Sequence, residues 1–210
     1  MICVSIAEPN FDRCREALLD SELAELRIDR TDFSENEVKE LFALPVDIIA
    51  TCRPGKKVES QRESLLLSAI SSGAAYVDIE VEADIDYFQK IRDHAKEKNC
   101  KLIVSYHNLE HTPPMAELED ILGQCLRMEA DIAKLACHVN TPTDCARILS
   151  LYREERKIIA FGLGKMGTFT RIASLFLGAP FTYAAMTPGK ETADGQLDRH
   201  RLKSILDALK

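Results

Sequence analysis

The chain has 210 residues, 46% of them apolar and 29% charged, with nine Gly, eight Pro and a formal net charge of −7. These figures exclude a disordered, collagen-like or disulfide-stapled chain and describe one globular domain, 1–210, able to bury about 70% of its unfolded surface. No apolar run approaches the roughly 20 residues that span a bilayer, the start MICVSIAEPNFDR lacks a basic segment, and no Lys/Arg stripe offers a phosphate-backbone footprint.

In chain order, short apolar or β-branched runs read as strands at Met1–Ala7, Leu23–Ile28, Asp47–Arg53, Ala75–Val81, Lys101–His107, Asp131–Cys137, Lys157–Phe161 and Phe181–Met186. They recur at roughly 25-residue intervals. Amphipathic stretches between them read as helices at Phe11–Leu19, Glu35–Leu44, Ser60–Ser72, Ile85–Asn99, Met115–Met128, Pro142–Glu155 and Thr168–Leu177, with Leu197–Leu209 closing the chain. Eight strand–helix units call for a parallel sheet under helices, and eight strands close into a (β/α)8 TIM barrel. An open doubly wound sheet is the competing architecture. Seven cysteines without a C-x-x-C pair read as reduced thiols, so a cytoplasmic protein with neither membrane nor nucleic-acid partners is expected.

Residue parity favours the barrel. Glu25 and Arg27 alternate with Ala24, Leu26 and Ile28; Thr51 and Arg53 with Ala50 and Cys52; Asp78 and Glu80 with Val77, Ile79 and Val81; Ser105 and His107 with Leu102, Val104 and Tyr106. The wet face of an antiparallel sheet would alternate in the same way, but helical crossovers imply parallel strands covered on both sides. The charged face then points into the barrel, where charges must pair and face a ligand.

Lys134 stands inside the apolar run Ala-Asp-Ile-Ala-Lys-Leu-Ala-Cys. Apolar walls and neighbouring cations favour a neutral amine, a nucleophile toward carbonyls; the alternative is a structural lysine paired with Glu80 or Asp78. His107, at the end of the neighbouring strand, can accept and return a proton. Its spacing to His111 resembles a metal pair, yet that segment reads as a loop without a third ligand, so no metal is expected. Arg27, Arg53 and Arg171 can grip a carboxylate or pair with Glu25 and Glu80. Gly162-Leu-Gly164-Lys-Met-Gly167 matches a dinucleotide fingerprint in spacing but not in context, because only one strand follows. Both Gly162–Gly167 and Thr187–Gly195 read as mobile rim loops, with Gly189 and Gly195 as hinges.

In order along the chain, Glu25-Leu-Arg27-Ile-Asp29, Thr51-Cys-Arg53, Val77-Asp78-Ile-Glu80, Ser105-Tyr-His107, Ala130-Asp131-Ile-Ala-Lys134, Gly164-Lys-Met-Gly167 with Thr170-Arg171, and Gly195-Gln196 resemble the motifs of type I 3-dehydroquinate dehydratases, the Schiff-base enzymes of the shikimate pathway. The resemblance implies an imine on Lys134, proton transfer by His107, and Arg171 as carboxylate clamp. It further implies Glu25, Arg27 and Arg53 around the substrate hydroxyls, Thr192 and Gln196 on a closing loop, and no metal or organic cofactor. Three departures stand out. The stretch Pro54–Glu59 is shorter and more basic than the family loop whose Glu orients the histidine, leaving Glu59 as a substitute. Thr192 and Asp194 stand where Ser and Pro are frequent. The chain starts almost directly in the first strand, without the hairpin that plugs the barrel bottom in bacterial relatives, so Cys3 or a neighbouring copy would close that end. A class I aldolase acting on a keto acid and a silent barrel binding a shikimate-type acid are the competing functions. The apolar Ile172–Leu177 segment suits a homodimer contact as well as a core-facing helix.

Overall fold

A computed structural model describes residues 1–153 and 157–209. Its strands are β1 Ile2–Ile6, β2 Leu23–Arg27, β3 Asp47–Thr51, β4 Tyr76–Glu80, β5 Lys101–Asn108, β6 Ile132–His138, β7 Ile158–Leu163 and β8 Thr182–Ala185. The helices are α1 Phe11–Leu19, α2 Glu35–Phe42, α3 Glu59–Ser71, α4 Ile85–Glu97, α5 Met115–Arg127, α6 Pro142–Leu149, α7 Thr168–Phe176 and α8 Arg199–Ala208. Short polar side chains start several of them: Asn10, Asp84 and Asp198 accept from first-turn amides, and Ser34 with Glu37 forms a capping box.

Parallel ladders join the strands in the order β7-β6-β5-β4-β3-β2-β1-β8, a nearly closed (β/α)8 barrel rather than an open doubly wound sheet. No ladder joins β7 to β8 among the described residues. The rings of Phe161 and Tyr183 meet there at a tilt of 56°, with centres 6.0 Å apart.

Strand alternation sorts the apolar residues into two layers. Leu26, Ala50, Val77, Val104 and Leu135 point outward into the layer shared with the helices. Cys3, Leu23, Ile49, Ile103, Ile132, Phe181 and Tyr183 fill the barrel interior. At the strand starts, Phe181 packs edge-on against Tyr76 and Tyr183, with ring centres 5.9 and 5.6 Å apart. Lys101 covers Tyr76 from outside, its Nζ 5.2 Å from the ring centre. Aromatic side chains of the chain itself, together with Cys3, therefore seal the bottom.

The largest departure from the expected elements is α6, expected to run to Glu155 but ending at Leu149; Glu154 and Glu155 lie outside the described residues. The Tyr152 hydroxyl donates to the Ala160 carbonyl at 2.9 Å and accepts from the Ala160 amide at 2.7 Å. Reaching that backbone takes Tyr152 out of the helix whose period it fits. Leu197, expected in the last helix, instead accepts the Ala185 amide at 2.8 Å, and α8 begins after its Asp198 cap. Among the described residues no helix is long and apolar enough to cross a membrane.

Candidate active site

Lys134 lies in the middle of β6, paired in register with Ser105 of β5 and Ile159 of β7, and is 4% exposed. Its Nζ donates to Asp78 Oδ2 at 2.9 Å, lies 3.6 Å from Glu25 Oε1, and sits 4.2 Å above the centre of the Tyr183 ring. The amine thus has an aromatic floor and two carboxylate neighbours in addition to the apolar residues of its strand. Its partners are Asp78 and Glu25, not Glu80.

Asp78 is the hub of this cluster. Besides Lys134 it accepts the Ser105 hydroxyl at 2.6 Å and pairs with Arg53 Nη2 at 2.8 Å. Burial pushes its carboxyl upward, but Arg53, Lys134 and His107 outweigh burial and hold it well below the usual carboxylate range. Glu25 in turn accepts from Ser5 at 2.8 Å and Thr51 at 3.1 Å. Two buried carboxylates thus face the buried Lys134 and the partly buried Arg53, the matching that removal from water demands.

His107 stands one inward position beyond Ser105 on β5. Burial, then Arg53 and Lys134, push its imidazole well below the usual value, so the ring is neutral near pH 7. Its Nδ1 is buried without a hydrogen-bond partner among the described residues.

His107, Lys134, Glu25, Arg27, Arg53, Thr192 and Gln196 line one cavity of about 570 Å³ at the C-terminal ends of the strands. Gln196 ties the closing loop to the barrel: its Oε1 accepts the Thr192 amide at 2.8 Å and hydroxyl at 3.2 Å, and its Nε2 reaches Ser5 at 3.4 Å. Arg30 donates to the Thr192 carbonyl at 3.0 Å, and Lys190 pairs with Glu8 at 3.2 Å. Where this loop meets the glycine loop the backbones touch: Gly195 has φ +71°, and a Cβ on it would lie 2.2 Å from the Gly164 carbonyl oxygen. A Cβ on Gly167 would lie 2.5 Å from Gly162. Close packing, not a dinucleotide, explains that glycine spacing.

Arg171 is apart from the others. It lies on α7, 1% exposed, and is not on the cavity wall. Its Nη2 reaches the Asp194 carbonyl at 3.4 Å, its guanidinium lies 4.1 Å from the Phe161 ring centre, and its Nε and Nη1 have no hydrogen-bond partner among the described residues. Burial lowers its pKa to about 10. Two further expectations are corrected. Arg27 gives its fork to Asp29, at 3.0 and 2.7 Å, rather than to Glu25. Glu59 opens α3, exposed to solvent and off the cavity wall, because the Pro54–Val58 loop ends before it. His111 is exposed on a loop. Among the described residues, no group of three His, Cys, Asp or Glu is placed to hold a metal ion.

Ser105, Ser5 and Arg30 belong to this site although the sequence reading assigned them no role, and Asp78, read there only as a structural partner of Lys134, is its hub. For Asp78 and Ser105 the signal was present, since they share the inward parity of Glu80 and His107. Arg30 lies past β2 in a 3-10 turn, beyond the reach of strand parity.

A family model described as type I 3-dehydroquinase matches residues 2–210. The 3-dehydroquinate dehydratase of Methanococcus maripaludis strain C5 is 35% identical over 224 residues, covering 100% of both chains. That of Desulfotalea psychrophila is 32% identical over 217 residues, covering 97% of this chain and 96% of its own. Among solved structures, the 3-dehydroquinate dehydratase of Aquifex aeolicus VF5 superimposes with a TM-score of 0.83 at 26% identity, covering 99% of this chain and 98% of that one.

Proposed function

Because the chain belongs to the type I 3-dehydroquinase family, we propose that it dehydrates 3-dehydroquinate to 3-dehydroshikimate through an imine on Lys134. The observation that carries this reading is the placement of Lys134 and His107 on adjacent strands, both opening into one cavity.

The Lys134 amine adds to the substrate ketone, and loss of water leaves a cationic imine. Asp78, hydrogen-bonded to Nζ, takes up part of the charge during these proton transfers. His107 removes a proton from the carbon next to the imine, and the C–H electron pair moves to the imine nitrogen to give an enamine. The enamine returns that pair as the β-hydroxyl departs, protonated by His107, so one water leaves and the ring base is restored. Hydrolysis of the conjugated imine frees product and Lys134.

Arg53, tied to Asp78 and Ser105, supplies fixed positive charge, and with Glu25 and Arg27 frames the substrate hydroxyls. Arg171 is the carboxylate clamp: its unpartnered Nε and Nη1 each share an edge with Nη2, which suits two-point recognition once the Asp194 carbonyl releases Nη2. Thr192 and Gln196 are the closing-loop contacts.

In the same reading, the chain is one catalytic domain in the cytoplasm, and its partner is a small acid rather than nucleic acid or a membrane. Its seven free, buried thiols suit that compartment. Two copies pair through the half-exposed Phe176 and Leu177 at the end of α7, which sedimentation would reveal. The activity is tested by following the ultraviolet absorbance of the conjugated product from 3-dehydroquinate. His107→Ala should lose turnover while still forming the imine, and release of pyruvate or an aldehyde would indicate aldol cleavage instead.

A further inference from the structure

His107 has an unresolved need. Its Nδ1 is buried without a hydrogen bond among the described residues, while the ring itself lines the cavity. A neutral imidazole carries one N–H and one lone pair, and only the tautomer with the proton on Nδ1 presents a basic nitrogen, Nε2, to the substrate. Something must hold that proton.

The charged groups around the ring come from four strands. Arg27 on β2, Arg53 just beyond β3 and Lys134 on β6 are cations and cannot accept a hydrogen bond. Asp78 on β4 is already engaged by Arg53, Ser105 and Lys134. Glu80, the last residue of β4, pairs in register with Ser105, so its side chain rises on the inward face beside His107. Its Oε1 lies 3.8 Å from His107 Nδ1 and 4.0 Å from Arg53 Nη1. A small rotation of ring or carboxylate closes the first gap to a hydrogen bond.

We propose that Glu80 is the positioning residue for His107, accepting Nδ1–H and so fixing the ring with Nε2 toward the substrate. This inference rests on the dehydratase reading and names the residue that makes its base competent. Arg53 serves as the pivot that keeps the carboxylate on this side of the cavity.

The test compares wild type, Glu80→Ala and Glu80→Gln for turnover of 3-dehydroquinate across pH, and for borohydride trapping of substrate on Lys134. Wild type must turn over and trap; its failure to do either would sink the dehydratase reading itself, before the variants are examined. With a competent wild type, Glu80→Ala should lower kcat by about 30–100-fold with KM within about threefold, and should trap as much adduct as wild type. Glu80→Gln keeps an acceptor oxygen and should recover about tenfold of that loss. Its acid limb of kcat/KM should also move to lower pH, because removing a negative neighbour disfavours the imidazolium. Glu80→Ala with kcat within about threefold of wild type, or trapping that falls in proportion to kcat, would overturn the assignment. Should Glu80→Ala not fold, Glu80→Gln decides: a stationary acid limb overturns it.

Discussion

The two ends of the barrel interior are built by the same strands and could hardly differ more. Along β2 the inward residues run Leu23, Glu25, Arg27; along β4 they run Tyr76, Asp78, Glu80; along β5 they run Ile103, Ser105, His107. Each strand thus passes from hydrocarbon or ring to polar or charged groups over four positions. The bottom is an aromatic seal around Phe181, and the top is a balanced set of ions around Asp78. The contrast teaches that the two halves depend on each other. The seal keeps water from below, so the charges above act through a low local dielectric, and those charges are tolerated only because they are paired.

Substitutions at the two ends should therefore fail in different ways. The largest effect belongs to Lys134→Ala, expected to lower kcat by at least about 10⁴-fold in a steady-state assay, as loss of a covalent nucleophile does. Asp78→Ala strands Arg53 and Lys134 in the interior, and unfolding by denaturant should show a loss of about 3–5 kcal/mol. Phe181→Ala should cost about 3–4 kcal/mol by the same measurement while kcat of the folded fraction stays within about twofold. A matching drop in kcat would show that the seal does more than seal. Gly195→Ala forces a Cβ against the Gly164 carbonyl at a positive φ; KM should rise about tenfold, and the melting temperature should fall by several degrees, as about 1–3 kcal/mol of backbone strain requires.

The smallest expected effect is on acid stability. His107 is held below its usual range in the folded chain, so on acidification the unfolded chain binds the proton first. Its contribution is intact above the unfolded value, about pH 6.5, and is lost as pH falls below it. His107→Asn should flatten the unfolding free energy within that window. Asp78, also depressed, should govern the further loss below about pH 4.

Strand parity made most of this legible before any coordinates. The period of two placed Glu25, Arg53, Glu80 and His107 on one interior face, the apolar run around Lys134 singled out the amine, and the regular strand–helix spacing implied the barrel. Three things escaped because they depend on distances between segments remote in sequence. Asp78 shares the parity of Glu80 and could be weighed as a partner of Lys134, but nothing in the chain says that Arg53 and Ser105 converge on the same carboxylate. The end of α6 is set by Tyr152 reaching the backbone of β7, which local periodicity cannot register. Arg171 was expected on the wall and lies behind the loop, because its neighbours at Asp194 come from the far side of the glycine contact.

The most direct test of the central claim is borohydride reduction of the enzyme during turnover of 3-dehydroquinate, followed by peptide mapping. Imine chemistry requires one stable added mass, carried by the peptide that contains Lys134, and its disappearance in Lys134→Ala. Full turnover with unmodified protein, or an adduct on any other lysine, would contradict it.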